Sequence, residues 1–148
     1  MPSLKQLLSE GKIKSHKTSA NEITGLLMIV NRDLKDAQIK ELSADRKFTT
    51  AYNAALQLST IILNCRSYRT TGGSHHYVTF QAVKEILGSQ HHDSIDYFDA
   101  CRNKRNITDY DYSGAISDVE VVELIKETLA YKEVVINWLK KNYPQYLK

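Results

Sequence analysis

From Asp45 to Tyr68, apolar and small side chains recur at three- and four-residue steps, and this stretch restricts the possible folds more than any other. Phe48, Ala51, Tyr52, Ala55, Ser59, Ile62 and Arg66 mark one face, which Ala54, Leu58, Ile61 and Cys65 widen. A stripe that broad needs more than one neighbour to cover it, and Ala51 and Ala55 let another helix approach closely. The spacing predicts a long helix inside an all-α bundle.

Other segments agree. Ser19 with Glu22 has the form of a capping box, and Ile23, Leu26, Leu27, Val30, Leu34 and Ala37 follow on one stripe, predicting a helix that ends near Leu42 or Ser43. Thr70 to Ser74 is a loop. It is no phosphate-binding loop, because Gly72 and Gly73 lack a preceding strand and a following Lys-Ser or Lys-Thr. Tyr77, Phe80, Val83 and Leu87 predict a shorter helix closed by Gly88. A further helix covers about His92 to Tyr110, followed by a turn at Ser113 and Gly114. Ser117 and Glu120 repeat the capping-box pattern at the start of a last long helix, with Val121, Val122, Ile125, Leu129, Ile136 and Leu139 on its apolar side and Pro144 at its end. No segment alternates like a strand. Leu4, Leu7 and Leu8 predict one or two helical turns ending at Gly11, and Lys12, Lys14, His16 and Lys17 read as a solvated linker. The expected fold is all-α, an up-and-down four-helix bundle with a short accessory helix. It forms a single domain over 1–148, with a short N-terminal helical segment and basic linker at 1–18.

A chain of 148 residues, 42% hydrophobic and 25% charged, has room for one substantial core and the balance of a soluble globular protein. The net charge of +3 permits an acidic partner without requiring one. Leu26 to Val30, the longest apolar run, is too short to span a bilayer, and Met1 to Lys17 lacks the pattern of a signal peptide. No membrane association is expected. Cys65 and Cys101 have no short-spacing partner, which points to a reduced, cytoplasmic protein with buried thiols. His75–His76 and His91–His92 are adjacent pairs whose side chains diverge on a helix, so no metal and no cofactor are expected.

The chemistry concentrates between Ser94 and Ser113. Arg102, Asn106, Asp109 and Tyr110 share a helical stripe, and Arg105 stands four residues before Asp109. An arginine in a groove can hold a phosphate bidentately, an asparagine can orient it, and a tyrosine can add a hydrogen bond or a stacking surface. The structural alternative is an Arg105–Asp109 ion pair on an ordinary helix, with Tyr110 at an interface.

The segment Arg105-Asn106-Ile107-Thr108-Asp109-Tyr110-Asp111-Tyr112, together with Ala51-Tyr52-Asn53-Ala54-Ala55 in the second long helix, resembles the HEPN superfamily. These are small helical-bundle proteins of toxin–antitoxin, defence and nucleotide-related systems. In catalytic members an arginine, the polar residue after it and a histidine four to six residues later support metal-independent RNA cleavage, usually with two sites meeting across a homodimer. The resemblance therefore implies a homodimer with Arg105 and Asn106 in its groove and Tyr110 at the histidine position. Tyr112 matches a tyrosine of one toxin branch. In some relatives the corresponding residue is nucleotidylated, and the partner is a small nucleotidyltransferase.

Tyrosine in place of histidine matters, because a general base wants a pKa near 7 and a phenol sits near 10. His76, His91 or His92 would have to enter the groove from another element. The expected function is that of a dimeric binding protein recognising a nucleotide, an RNA phosphate or a protein partner through Arg102, Arg105, Asn106, Asp109, Tyr110 and Tyr112, and not an efficient nuclease. Two alternatives stand beside it: a metal-independent endoribonuclease toxin using Arg105, Asn106 and Tyr110, and a purely structural protein-interaction module.

Overall fold

A computed structural model describes residues 2–72, 75–110 and 115–147, and of 107–110 the backbone alone. Six α-helices are seen among the described residues: α1 (Leu4–Ser9), α2 (Ala20–Asp36), α3 (Ala44–Cys65), α4 (His75–Leu87), α5 (His92–Tyr110) and α6 (Asp118–Asn142). The long helix read from its broad stripe is α3. It packs against α2, α4, α5 and α6, which is why it is apolar around most of its circumference. Phe48, Tyr52, Leu58, Ile61 and Ile62 are its largest fully buried side chains in the main core.

Local signals set the helix ends. Ser117 accepts from the Glu120 amide while the Glu120 side chain returns to the Ser117 amide, so the capping box opens α6. Gly88 closes α4 at φ +90°, a left-handed conformation that L side chains rarely adopt. Ser19 caps α2, yet Glu22 does not complete the box. Its carboxylate accepts instead from Thr18 Oγ1 at 2.6 Å and from Asn64 Nδ2 at 3.3 Å, and it lies 2.7 Å from His16 Nε2. One carboxylate thereby joins the segment before α2 to α2 and α3.

The structure corrects the sequence reading in several places. Helix α3 ends at Cys65 rather than Tyr68, and a strand, Tyr68–Thr70, does precede Gly72, where the missing Lys-Ser or Lys-Thr alone argues against a phosphate-binding loop. The segment taken for a solvated linker contributes β1 (Ile13–Ser15), which pairs antiparallel with β2 (Tyr68–Thr70) in the register Ile13↔Thr70, Lys14↔Arg69, Ser15↔Tyr68. Strands of three residues are too short to display alternation, and Ile13 alone is buried, against Leu7, Leu63, Val78 and Ala82 in a second small core. Next, α2 stops at Asp36 rather than near Leu42, and the chain continues through tight turns in which Gln38 and Ile39 bond back three residues. Ile39 is exposed there and Leu42 only half-buried, so little apolar burial favours a longer helix. Finally, Tyr77 on α4 and Val122 and Leu129 on α6 face solvent, although the periodicity placed them inside. Helix α4 lies between two cores and buries Val78, Thr79 and Ala82 besides Phe80 and Val83, while α6 turns Leu124, Thr128, Tyr131 and Val135 inward.

The Glu22 junction makes a testable prediction. Burial pushes the Glu22 carboxyl up, but hydrogen bonds from Thr18 and His16 and the charges of His16 and Arg69 outweigh it, leaving the pKa below its ordinary value. A depressed native pKa contributes stability that is present above the unfolded value and lost as pH falls through the native one. Melting curves from neutral pH down to about pH 3 are therefore expected to converge for wild type and Glu22→Gln at the acid end, with the wild type more stable at neutral pH. Parallel curves would contradict this.

Candidate functional site

Helix α5 has few apolar residues. Ile95, Phe98 and Cys101 anchor it in the core, and Lys104 pairs with Glu120 at the start of α6. That anchoring carries Arg105 over α3. Its guanidinium carbon lies 5.8 Å from the centre of the Tyr52 ring, and its Nη1 donates to Asn106 Oδ1 at 3.4 Å. The first turn of α4 supplies His76, whose Nδ1 is 3.0 Å from the Tyr52 hydroxyl. Arg105, Tyr52 and His76 thus line one cleft of about 190 Å³, together with Thr49, Thr50, Asn53 and Asp33.

Asp33 forms the acidic wall. Its side chain is only 7% exposed, and it accepts from Asn53 Nδ2 at 2.6 Å and from the Arg32 guanidinium at 3.1 Å. Buried carboxylates persist when paired and hydrogen-bonded in this way. Arg105 and the polar hydrogens of His76 and Thr50 then give the rest of the cleft groups suited to an oxyanion.

Two groups in the cleft titrate far from their ordinary values. Desolvation lowers the His76 pKa to about 4, helped by the nearby charges of His75, Arg105 and Arg102, so its imidazole is neutral at physiological pH. Burial pushes the Tyr52 phenol up, against the opposing influence of Arg105 and Arg102, so it stays protonated and can donate to Nδ1 when Nε2 carries the ring proton. The His76 resonances are expected to stay flat in a proton NMR titration from pH 8 to about pH 5 and to move only below that. A midpoint near 6.5 would refute the assignment.

The other residues singled out in the sequence fall differently. Arg102 does not line the cleft: its Nε donates to Asp99 Oδ1 at 2.9 Å, and its guanidinium lies 5.6 Å from the Tyr77 ring centre. Asn106 is half-buried and touches Arg105 rather than the cleft. The side chains of Asp109 and Tyr110, and the whole of Tyr112, lie outside the described residues, as do Ser113, Gly114 and the Gly73–Ser74 part of the loop. Asp33 was missed altogether. Its signal was a carboxylate interrupting the apolar stripe between Val30 and Ala37.

The two thiols are free and buried, and burial pushes Cys65 up to about 12 and Cys101 up to about 11, which withholds the nucleophilic thiolate from both. Among the described residues no three His, Cys, Asp or Glu side chains are placed to hold a metal ion, and no helix is long and apolar enough to cross a membrane. No protein-family model matches this chain, and neither a curated protein nor a solved structure is significantly similar to it.

Proposed function

We propose that this chain is a HEPN-like protein, built as an up-and-down four-helix bundle with an accessory helix. In this reading it works as a homodimer and binds the phosphate of a nucleotide or RNA in the cleft between α3, α4 and α5, without efficient turnover. The observation that carries the reading is the convergence of Arg105, His76 and Tyr52 on one small cleft. A guanidinium offers a phosphate paired donors, and partial burial strengthens charge-assisted bonds. An acidic side chain of a protein partner, such as a nucleotidyltransferase-like protein, would compete for the same donors. A place in a toxin–antitoxin pair rests on the sequence resemblance alone.

The same chemistry argues against an efficient nuclease. Proton transfer at neutral pH is fastest for groups with a pKa near 7, and His76 lies well below that while Tyr52 is pushed above its ordinary value. Titration calorimetry with adenosine monophosphate and with diuridylate is expected to give saturable binding in the micromolar to millimolar range. Absence of heat with either ligand at several times that concentration would overturn the proposal.

One observation favours a second reading. His76 supplies the cleft with an imidazole that the Arg105 segment lacks. In a cleavage reaction it would accept the proton of a 2′-hydroxyl attacking the adjacent phosphate, Arg105 would stabilise the developing charge, and the P–O5′ bond would break with the 5′-oxygen leaving as a hydroxyl that takes the proton back. RNA incubated in chelator would then yield cyclic phosphate ends, and both Arg105→Ala and His76→Ala would abolish them. Intact RNA under those conditions would rule this second reading out.

A further inference from the structure

The basic run at 12–17 does not stand alone in the fold. Strand pairing places Lys14 directly opposite Arg69, and both are exposed. Like charges facing each other across a strand pair are destabilising unless something else offsets them. Among the described residues neither forms an ion pair with a carboxylate. An open groove of about 410 Å³ at the end of the ribbon is lined by Ser15, His16, Lys17, Arg66, Ser67 and Tyr68, and by neither Lys14 nor Arg69. Arg66 is fixed there: its Nη1 donates to the Tyr143 hydroxyl, and its guanidinium carbon lies 5.1 Å from the Trp138 ring centre. The nearby carboxylate, Glu22, attracts Arg69 through space without a direct ion pair, and its hydrogen bonds go to Thr18, His16 and Asn64.

A polar path leads from this ribbon to the Arg105 cleft. Between Ala51 and Cys65 the half-exposed positions of α3 are Asn53, Gln57 and Thr60, which follow one another at helical spacing on one line. Asn53 lines the cleft, and Gln57 and Thr60 line a second hollow of about 220 Å³ that reaches Arg69 and Thr70 of the ribbon. From Asn53 to Arg66 the helix rises about 20 Å, which corresponds to roughly six nucleotides of a stacked strand.

We infer that the β1–β2 ribbon is a second phosphate-binding subsite, and that a single-stranded polynucleotide lies along the polar line of α3 with one phosphate in the Arg105 cleft and others on Lys14 and Arg69. This rests on the proposed phosphate-binding role of the cleft and extends it from a single phosphate to a strand. The recognition is of backbone charge, so RNA and DNA strands share it.

The test measures fluorescence anisotropy of labelled diuridylate, octauridylate and octathymidylate over a range of salt concentrations. The proteins compared are wild type, the double variant Lys14→Gln/Arg69→Gln, and Arg105→Ala. The ribbon variant is expected to bind both octamers about tenfold more weakly, with the slope of log affinity against log salt reduced by about 1.4 for two lost phosphate contacts, while diuridylate binding is unchanged. The lost repulsion between Lys14 and Arg69 is set against the lost attraction of Arg69 for Glu22, so melting temperatures are measured alongside and binding is compared where every variant is fully folded. Unchanged octamer affinity and slope in the ribbon variant, beside weakened binding in Arg105→Ala, would overturn the ribbon subsite and leave the cleft reading standing. The reverse pattern would overturn the cleft reading. Displacement of octauridylate by an octaglutamate peptide at equal concentration would overturn the polynucleotide assignment in favour of an acidic protein segment.

Discussion

Arg105→Ala is expected to weaken diuridylate binding by about 10- to 100-fold, the equivalent of one or two charge-assisted hydrogen bonds to a phosphate. The side chain is held over the Tyr52 ring, so part of the ordering entropy is lost before a ligand arrives. Arg105→Lys keeps the charge and gives up the planar pair of donors. It should fall between wild type and alanine. Three further readouts separate a binding role from a structural one. The alanine variant should lose affinity with little change in melting temperature, it should flatten the salt dependence, and it should raise the His76 pKa by removing a nearby cation. Wild-type affinity in Arg105→Ala would end the case for the cleft. A collapse of stability without ligand would instead place Arg105 among the residues that hold α5 in position.

Phe98→Ala is expected to cost about 3–5 kcal/mol of folding stability in urea unfolding, a large share of the 5–15 kcal/mol typical of a domain. Phe98 is fully buried, with its ring centre 5.0 Å from that of Tyr131, and Tyr131 in turn shares a 2.8 Å hydrogen bond with Ser59 of α3. Among the described residues of α5, Ile95 and Cys101 accompany Phe98 as buried members of the core, with Tyr97 packed against their edge. Arg105 follows Phe98 by two turns on the same helix, so loosening this anchor blurs the cleft as well. Diuridylate affinity should therefore fall in Phe98→Ala even at temperatures where the protein remains folded. A loss below about 1 kcal/mol would show that the core closes over the missing ring without cost.

The legible part of the fold was carried by residues whose information is local. Ser117 and Glu120 announce their helix because both halves of a capping box lie within one turn, and Gly88 announces an end because few other residues accept its conformation. The breadth of the stripe on α3 foretold several neighbours. Tyr77, Val122 and Leu129 were misread because α4 and α6 carry apolar residues on more than one face, and periodicity cannot choose among faces when neighbours are unknown. The candidate site was half legible. Arg105 stood out by composition, whereas His76 and Asp33 join it from α4 and α2 across contacts with no sequence spacing to betray them.

What the sequence determined by itself is the helical content, most helix boundaries and the concentration of cations and amides on α5, because each follows from side chains within a turn or two of one another. Tertiary structure decided which of those groups meet. Packing α4 and α5 against α3 puts an imidazole and a phenol beside Arg105 and turns Arg102 away to Asp99, and pairing β1 with β2 sets Lys14 against Arg69. These outcomes depend on how whole helices bury their apolar faces, and the free energy of that burial is shared among residues far apart in the chain.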